Sequence, residues 1–423
     1  MHPLSLAPTA PEAALDKDLP RTAPERARAW TILPRTWIGP DRQIILTIAA
    51  GKAAVLLVVF LAYKLLPFYT AEFNVNFVDP NHPGVSVATA FSTWDGQHYL
   101  FLSESGYRAG QMSDAFFPLF PFLVHLLTPV FGNNSLVAAL VTANVASLIG
   151  LYILFKLVMQ LYGAAAARGT LLLYLAFPTA FFFSLVYTES LYLLLAATFF
   201  YLLFQGRLAW AAVPAALLPL ARPEGVLIII PFAIYYAVEV LRLDREPLAR
   251  ALGYLRLRQA ALVGSPVIGA LAYLGFMKAA TGNALEMFQA MKVYVSAHSI
   301  TYILHPLQLA HALGQWPLAI HGYTNSLIDR AIFACFLLLL VPMFRRLHPA
   351  LAWYALAVGS LNVLSGTFMS YSRYVLLAFP IFITAALLFE RPAWRVWRAP
   401  LACVLAGVQG LFLVMQALNY WVA

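Results

Sequence analysis

The sequence predicts an all-α integral membrane protein. About eleven transmembrane helices are expected, with amphipathic surface helices in the first long outer loop. Three observations predict this. Runs of about 20 apolar residues, the length that crosses a bilayer, recur along the 423 residues. The chain is 62% hydrophobic and 11% charged, with a mean hydropathy of +0.76. Its arginines gather in alternate connections between the apolar runs, the bias that orients membrane proteins. Lipid covers much of the apolar surface of such a chain, so its length does not divide into soluble domains. The formal net charge of +9 calls for no nucleic-acid partner, because loops on the inner side account for most of it. Cys335 and Cys403 are the only cysteines and both lie in apolar runs, so no disulfide framework is expected.

Residues 1–42 read as a cytoplasmic tail, disordered or lying on the membrane surface. Acids and arginines are interspersed there, and Pro34 and Pro40 interrupt any helix. No apolar core of signal-peptide type precedes the first span, which reads as an uncleaved anchor. The transmembrane domain is expected over 43–423. Its spans are read at 43–67, 135–161, 170–187, 190–206, 208–221, 225–241, 259–280, 327–344, 350–368, 374–390 and 400–421. Lys52 falls inside the first; its stem either snorkels or meets a neighbouring helix. With the N-terminus in the cytoplasm, the inner loops carry Arg168, Arg207, Arg242, Arg245, Arg250, Arg256, Arg258, Arg345, Arg346, Arg391, Arg395 and Arg398. Outside remain only scattered cations: Arg108, Arg222, Lys278, Lys292, Arg330 and Arg373. Losing one span flips half of these loops and destroys the bias.

The first outer loop, 68–133, is far longer than an ordinary connection and too aromatic to be disordered. Trp94, His98, Phe101 and Leu102 recur at helical spacing. They predict an amphipathic helix lying on the membrane, with Thr93 as N-cap and Asp95 in the first turn. His98 and Tyr99 then follow Asp95 on one face. The orientation map brings Tyr187, Thr188, Glu189, Arg222, Glu224, Arg373 and the later loop 281–325 to the same outer side. In that later loop, Asn283 and Glu286 have the spacing of a capping box, with Met287, Met291 and Tyr294 on one helical face. Ionisable residues near a bilayer tend to mark function.

Asp95 suits a general base acting on a hydroxyl, or a helix cap. Glu189 reads either as a first-turn glutamate or as a second acid of the site. Arg222 and Arg373 offer planar forks matched to phosphate oxygens, or pair with acids. Arg222 has Glu224 two residues away, whereas Arg373 has Tyr371 and Tyr374 nearby and no adjacent acid. Lys292 reads as a phosphate or lipid-headgroup contact. His298, His305, His311 and His321 are not at metal-ligand spacing, and no metal site is expected. With no glycine-rich phosphate loop or dinucleotide fingerprint, a lipid-phosphate donor suits an outer-face enzyme better than a nucleotide sugar.

The stretches WDGQHYLFLSESGY and FFPLFP (Trp94 to Tyr107, Phe116 to Pro121) resemble the signature of the GPI mannosyltransferase II (PIG-V) family and its prokaryotic relatives. FPTAFFFSLVYTESLYLLL, ARPEG and TGNALEMFQA are similar to further elements of that family and related transferases. Leu102 and Ser103 replace its usual Ile-Ala pair, and Ala284 stands where Pro is usual. The resemblance implies a GT-C-like membrane glycosyltransferase of the inner cell membrane, with its active site on the extracytoplasmic face. It implies an inverting transfer of mannose, or another hexose, from a polyprenyl-phosphate donor to a lipid-linked or glycan acceptor, with no metal or other cofactor. Asp95 becomes the expected catalytic base. The residues expected to bind substrate are Trp94, His98, Tyr99, Tyr187, Glu189, Arg222, Lys292, Arg373 and Tyr374. A lipid-linked sugar transporter or flippase is the alternative, and a subunit that has lost catalysis a weaker one. Transporters place polar sites at the midplane on broken helices, often with internal repeats; here the polar groups sit at outer ends and no repeat is seen.

Overall fold

The computed structural model describes residues 41–422 apart from 74–76, 244–246, 254–255, 293, 295–299, 315–319 and 321–325. The expected tail over 1–40, and His298 and His321, lie outside the described residues. All regular structure among the described residues is helical.

The first span is α1, Arg42–Leu65, capped by Asp41, whose side chain accepts from the Ile44 amide at 3.2 Å. The long connection after it holds three short helices: α2 (Val87–Phe91), α3 (Asp95–Ser105) and α4 (Leu119–Leu127). Then comes α5, Ser135–Ala176, whose 42 residues are broken at Gly163, where φ is 88°. Two antiparallel apolar helices follow, α6 (Glu189–Phe204) and α7 (Leu208–Ala221), and then α8 (Ile229–Tyr235) inside the apolar stretch Pro223–Val240. The later helices include α9 (Ser265–Thr281), α10 (Glu286–Met291), α11 (Leu327–Arg346), α12 (Pro349–Leu364), α13 (Tyr371–Tyr374), α14 (Pro380–Leu388) and α15 (Arg398–Ala417).

Among the described residues, five helices are long and apolar enough to cross a membrane, or seven if two bent pairs each count as one span. The bent pairs are Leu257–Val263 with Ser265–Thr281, at 49°, and Tyr371–Leu377 with Pro380–Leu388, at 86°. The eleven expected spans are therefore not all reproduced. Helices α6, α7 and α12 have 16, 14 and 16 residues. At 1.5 Å per residue these reach roughly 21–24 Å, short of a hydrocarbon core of about 30 Å. They pack on longer neighbours, and Trp210, Val213 and Trp353 leave large apolar surface exposed on two of them.

The expected span 170–187 is not reproduced as one helix. Helix α5 ends at Ala176, and the chain from Phe177 to Thr188 runs irregularly through the protein interior, buried throughout. Non-helical backbone is tolerated at such depth only where protein groups satisfy it. Here the Lys52 ammonium donates to the Phe183 carbonyl at 3.0 Å, and Ser147 donates to the same oxygen at 2.7 Å. Asn144 donates to the Ser184 carbonyl, and Thr179 to that of Ser372. Lys52 thus meets a neighbouring segment rather than snorkelling. Phe181, Phe182 and Phe183 from this segment join Phe199, Phe200, Tyr354 and Phe379 in one aromatic core among α5, α6, α12 and α14.

Small residues let neighbouring helices approach closely. A Cβ on Gly269 of α9 would fall 1.9 Å from the Ala216 carbonyl oxygen of α7. One on Gly225, in ARPEG, would fall 2.2 Å from the Leu218 carbonyl. The second contact fixes the turn that aims Arg222 and Glu224.

The surface-helix expectation for α3 is corrected. Residues 96–103 are all buried, enclosed by α4, α5 and the turn Met112–Ala115, so no face is left for lipid. Thr93 is not its N-cap. Trp94 holds that position, and the Thr93 hydroxyl donates to the Gln416 carbonyl of α15 at 3.0 Å. The capping box at Asn283 is also replaced. The Asn283 side chain accepts from the Leu285 amide and donates to Glu286, while Glu286 accepts from the Gly110 amide at 2.8 Å. Glu286 thereby ties the start of the later polar loop to the first long loop.

Candidate active site

Five charged residues from four separate parts of the chain interlock beside one cavity. Arg373, on α13, donates from Nη1 to the Asp95 carboxylate at 2.6 Å and from Nε to Glu189 at 2.5 Å. Arg222 donates from Nη1 to the same Glu189 oxygen at 2.6 Å and to the Thr188 hydroxyl at 3.1 Å. Its Nε reaches Glu224 at 3.3 Å. Glu189 is therefore the hub: it opens α6, is fully buried, and binds both guanidinium groups. Removing one partner from a buried arrangement of this kind costs about 3–5 kcal/mol, because the remaining charge stays desolvated.

Local backbone sets these positions. Trp94 sits at φ 57° and ψ −121°, and Ser370 at φ 58°. A positive φ is unfavourable for a residue with a Cβ and worse for a bulky one; such strain is typically on the order of 1–3 kcal/mol and persists where surroundings enforce it. One strained residue directly precedes Asp95, and the other precedes the short helix that carries Arg373. The Trp94 ring is held edge-on against Trp421 at 5.0 Å. Gln416 donates to the Thr93 hydroxyl and to the Tyr187 hydroxyl, both at 3.0 Å. The end of α15 thus clamps the turn before Asp95.

The cavity has a volume of about 170 Å³ and is lined by Asp95, Tyr99, Arg222, Glu224, Arg373 and Tyr374 on its polar side. Phe116, Phe117, Met287, Met291, Met369 and Trp421 supply an apolar side. The side chain of Asp95 is 26% exposed, against 0% for Glu189 and 6% for Glu224. Asp95 is thus the most open acid of the cluster. Arg373 is stacked between Phe182 and Tyr187, at 5.0 and 4.6 Å, and Arg222 lies 5.2 Å from the Tyr374 ring. The hydrogen bonds of each arginine run from Nε and Nη1; the Nη2 of each makes none among the described residues.

The remaining candidates fall in different places. Tyr99 lines the cavity and meets the Thr188 hydroxyl at 3.3 Å. Tyr187 is buried and donates to the Thr93 carbonyl at 2.8 Å, so it supports the site from beneath. Trp94 is buried behind Asp95 rather than open to the cavity. His98 is fully buried between the rings of Phe77 and Phe116, at 4.2 and 4.5 Å. Burial pushes its imidazole down to about 3, so it stays neutral. It hydrogen-bonds with Ser113 at 2.8 Å and with Tyr294 at 3.3 Å, and only Tyr294 reaches the cavity wall. Lys292 is exposed, donates to Gln289 at 3.2 Å and does not line the cavity. Arg373 has no acid beside it in sequence, yet in space it pairs with two.

Sequence reasoning did not single out Met369, Ser370 or Trp421. Trp421 follows an apolar span and looks like an interfacial anchor, and nothing in its neighbours signals a partnership with Trp94.

Fold and site together define a helical membrane protein with a charge-paired cavity beside its first long loop. Residues 56–240 match the family model described as mannosyltransferase (PIG-V), which bears out the resemblance carried by the motifs between Trp94 and Gly225. Arg373 lies outside the matched segment. No curated protein sequence matches the chain. Among solved structures, it is similar to ArnT from Cupriavidus metallidurans bound to undecaprenyl phosphate, with a TM-score of 0.50 and 15% identity over 85% of this chain. The likeness covers 63% of that ArnT chain, so this protein spans under two thirds of its length. It is also similar to an Archaeoglobus fulgidus oligosaccharyltransferase tethered to an acceptor peptide, at 13% identity and a TM-score of 0.44, covering 88% of this chain and 55% of the other. The ArnT likeness bears on the fold alone and agrees with the GT-C architecture expected from the sequence.

Proposed function

We propose that the protein transfers a mannosyl residue from a polyprenyl-phosphate donor to a hydroxyl of a lipid-linked or glycan acceptor, with inversion, at the extracytoplasmic face. The observation that carries this reading is the Asp95 carboxylate. It opens onto the cavity while Arg373 fixes its orientation at 2.6 Å. The acceptor hydroxyl gives its proton to Asp95 as its oxygen bonds to the anomeric carbon, and the bond from that carbon to the phosphate oxygen breaks. The polyprenyl phosphate leaves with the bonding electrons. The cavity-side edges of Arg222 and Arg373 meet the developing phosphate charge, the kind of preorganised electrostatic contribution that is usually largest in such sites. The mannosyl donor is supported by the family match over 56–240. A lipid-phosphate carrier is supported by the undecaprenyl phosphate in the ArnT relative of the fold. Lys292 stands outside the cavity, and its role is headgroup contact.

Purified protein incubated with polyprenyl-phosphate [³H]mannose and a panel of glycan and glycolipid acceptors tests this. Label is expected to move to the acceptor without any nucleotide sugar. Label that only crosses the bilayer of a proteoliposome, still joined to its lipid, makes the protein a flippase. Transfer that needs GDP-mannose contradicts the donor.

A further inference from the structure

A second polar cluster lies at the other end of α3, away from the cavity just described. Asp79, Pro80, Asn81 and His82 form a tight turn, closed by the His82 amide donating to the Asp79 carbonyl at 3.0 Å. Asp at the first and Pro at the second position favour such a turn. The Asn81 amide donates to Asp79 Oδ1 at 2.9 Å, which stiffens it further. The turn brings His82 Nε2 to 3.0 Å from Glu104 on the last turn of α3. Glu104 also accepts from the Asn81 side chain at 2.9 Å and from the Ser135 hydroxyl at the start of α5.

One atom in this cluster is unexplained. Asp79 is 2% exposed, and its Oδ2 has no hydrogen-bond partner. A buried carboxylate oxygen without a partner is costly, and Glu104 beside it adds like charge. The side chains of Asp79, His82 and Glu104 each offer a ligand atom, and these atoms all lie within 4.8 Å of one another. They line a cavity of about 340 Å³ together with Gln97, Asn134 and Ser135, which leaves room for water ligands.

We propose that Asp79, His82 and Glu104 bind one divalent transition-metal cation, with water completing its shell. An ion about 2.1 Å from each tetrahedral ligand separates those ligands by roughly 3.4 Å, so small side-chain rotations close the site. One imidazole with two carboxylates suits Zn²⁺ or Mn²⁺ better than Mg²⁺ or Ca²⁺, which favour oxygen alone. The bound ion gives Asp79 Oδ2 its missing partner. It also pins the loop after α1 to the end of α3, the helix that starts at Asp95. This inference does not rest on the proposed transfer reaction.

The test uses full-length protein carrying no histidine tag, stripped with EDTA in detergent and then dialysed against Zn²⁺ or Mn²⁺. Metal content is read by inductively coupled plasma mass spectrometry, and affinity by titration calorimetry. The proposal predicts one ion per chain and a higher melting temperature on reloading. It predicts at least a tenfold loss of affinity in both His82→Ala and Glu104→Gln. His82 is exposed, so its variant keeps the fold, checked by a monodisperse size-exclusion peak. Wild type that retains no stoichiometric ion, or variants that bind as wild type does, overturn it.

Discussion

The two ends of α3 make an instructive pair. At its start, Asp95 joins a cluster in which acids and arginines alternate: Asp95, Arg373, Glu189, Arg222, Glu224. At its end, Glu104 faces Asp79 with only His82 between them as a source of positive charge. Both clusters hold more acid than base. At the start the surplus carboxylate opens onto a cavity, where it is able to take a proton from a bound hydroxyl. At the end the surplus carboxylate, Asp79, is buried with one oxygen unpartnered, where a bound cation would relieve it. The same residue type is thus placed for chemistry in one region and for holding the structure in the other.

That contrast is open to attack at several points. The largest effect is expected for Glu189→Gln. It removes the negative charge shared by two buried guanidinium groups, and the expected loss is about 3–5 kcal/mol of stability. A clear fall in the midpoint of an SDS denaturation curve is the readout, and an unchanged midpoint shows that the cluster does not hold the fold. Arg373→Lys comes next. A lysine lacks the planar fork that reaches Asp95 and Glu189 together, and loss of the carboxylate's orientation is expected to lower kcat by roughly 10²-fold with little change in expression or monodispersity.

Asp114 supplies a smaller, pH-dependent comparison. It is fully buried, and no cation pairs with it among the described residues. Burial pushes its carboxyl up to about 6, helped by the charge of Glu286 and opposed by the nearby backbone of Arg108 and Gln111; neither carboxylate oxygen has a hydrogen-bond partner among the described residues. The folded value therefore lies above the unfolded value of about 3.9. Stability tied to this group is complete below the unfolded value and is lost as pH rises through the folded one. Asp114→Asn should melt higher than wild type at pH 7 to 8, and the advantage should vanish below about pH 4. The smallest effect is expected for Glu104→Gln on catalysis. Its end of α3 touches no part of the active-site cavity, so turnover at saturating donor should stay within about threefold of wild type. A large drop there would erase the distinction between the two ends.

Much of this arrangement was legible in the sequence, and the legible part was long-range. The arginine bias predicted that Asp95, Glu189, Arg222 and Arg373 share one side, and they meet within 2.5–3.3 Å in one cluster with Glu224. The bias works because charge placement relative to a bilayer is a property of each loop alone. What the sequence hid depends on three-dimensional packing. Helical spacing in α3 looked like a surface helix because Gln97 and Ser103 read as a solvent face, whereas they are buried with hydrogen-bond partners inside the protein. His98 looked like a polar lining residue because a histidine in sequence carries no sign of the Phe77 and Phe116 rings that enclose it. The span at 170–187 looked like one helix because hydropathy does not distinguish lipid from the aromatic interior around Phe181 to Phe183. The Asp79 cluster escaped notice because its third ligand, Glu104, lies 22 residues beyond His82, outside any local metal-binding pattern.

The central claim is that Asp95 is the base, and one measurement tests it most directly. Wild type and Asp95→Asn are purified side by side, matched by size-exclusion profile and melting temperature. Single-turnover transfer of mannose from polyprenyl-phosphate [³H]mannose to the acceptor is then followed. Asparagine keeps the shape and a hydrogen bond to Arg373 but cannot accept the proton. The account predicts a rate lower by about 10²–10⁴-fold, with donor binding retained. Transfer at the wild-type rate would contradict it and move the search for the base to Glu224.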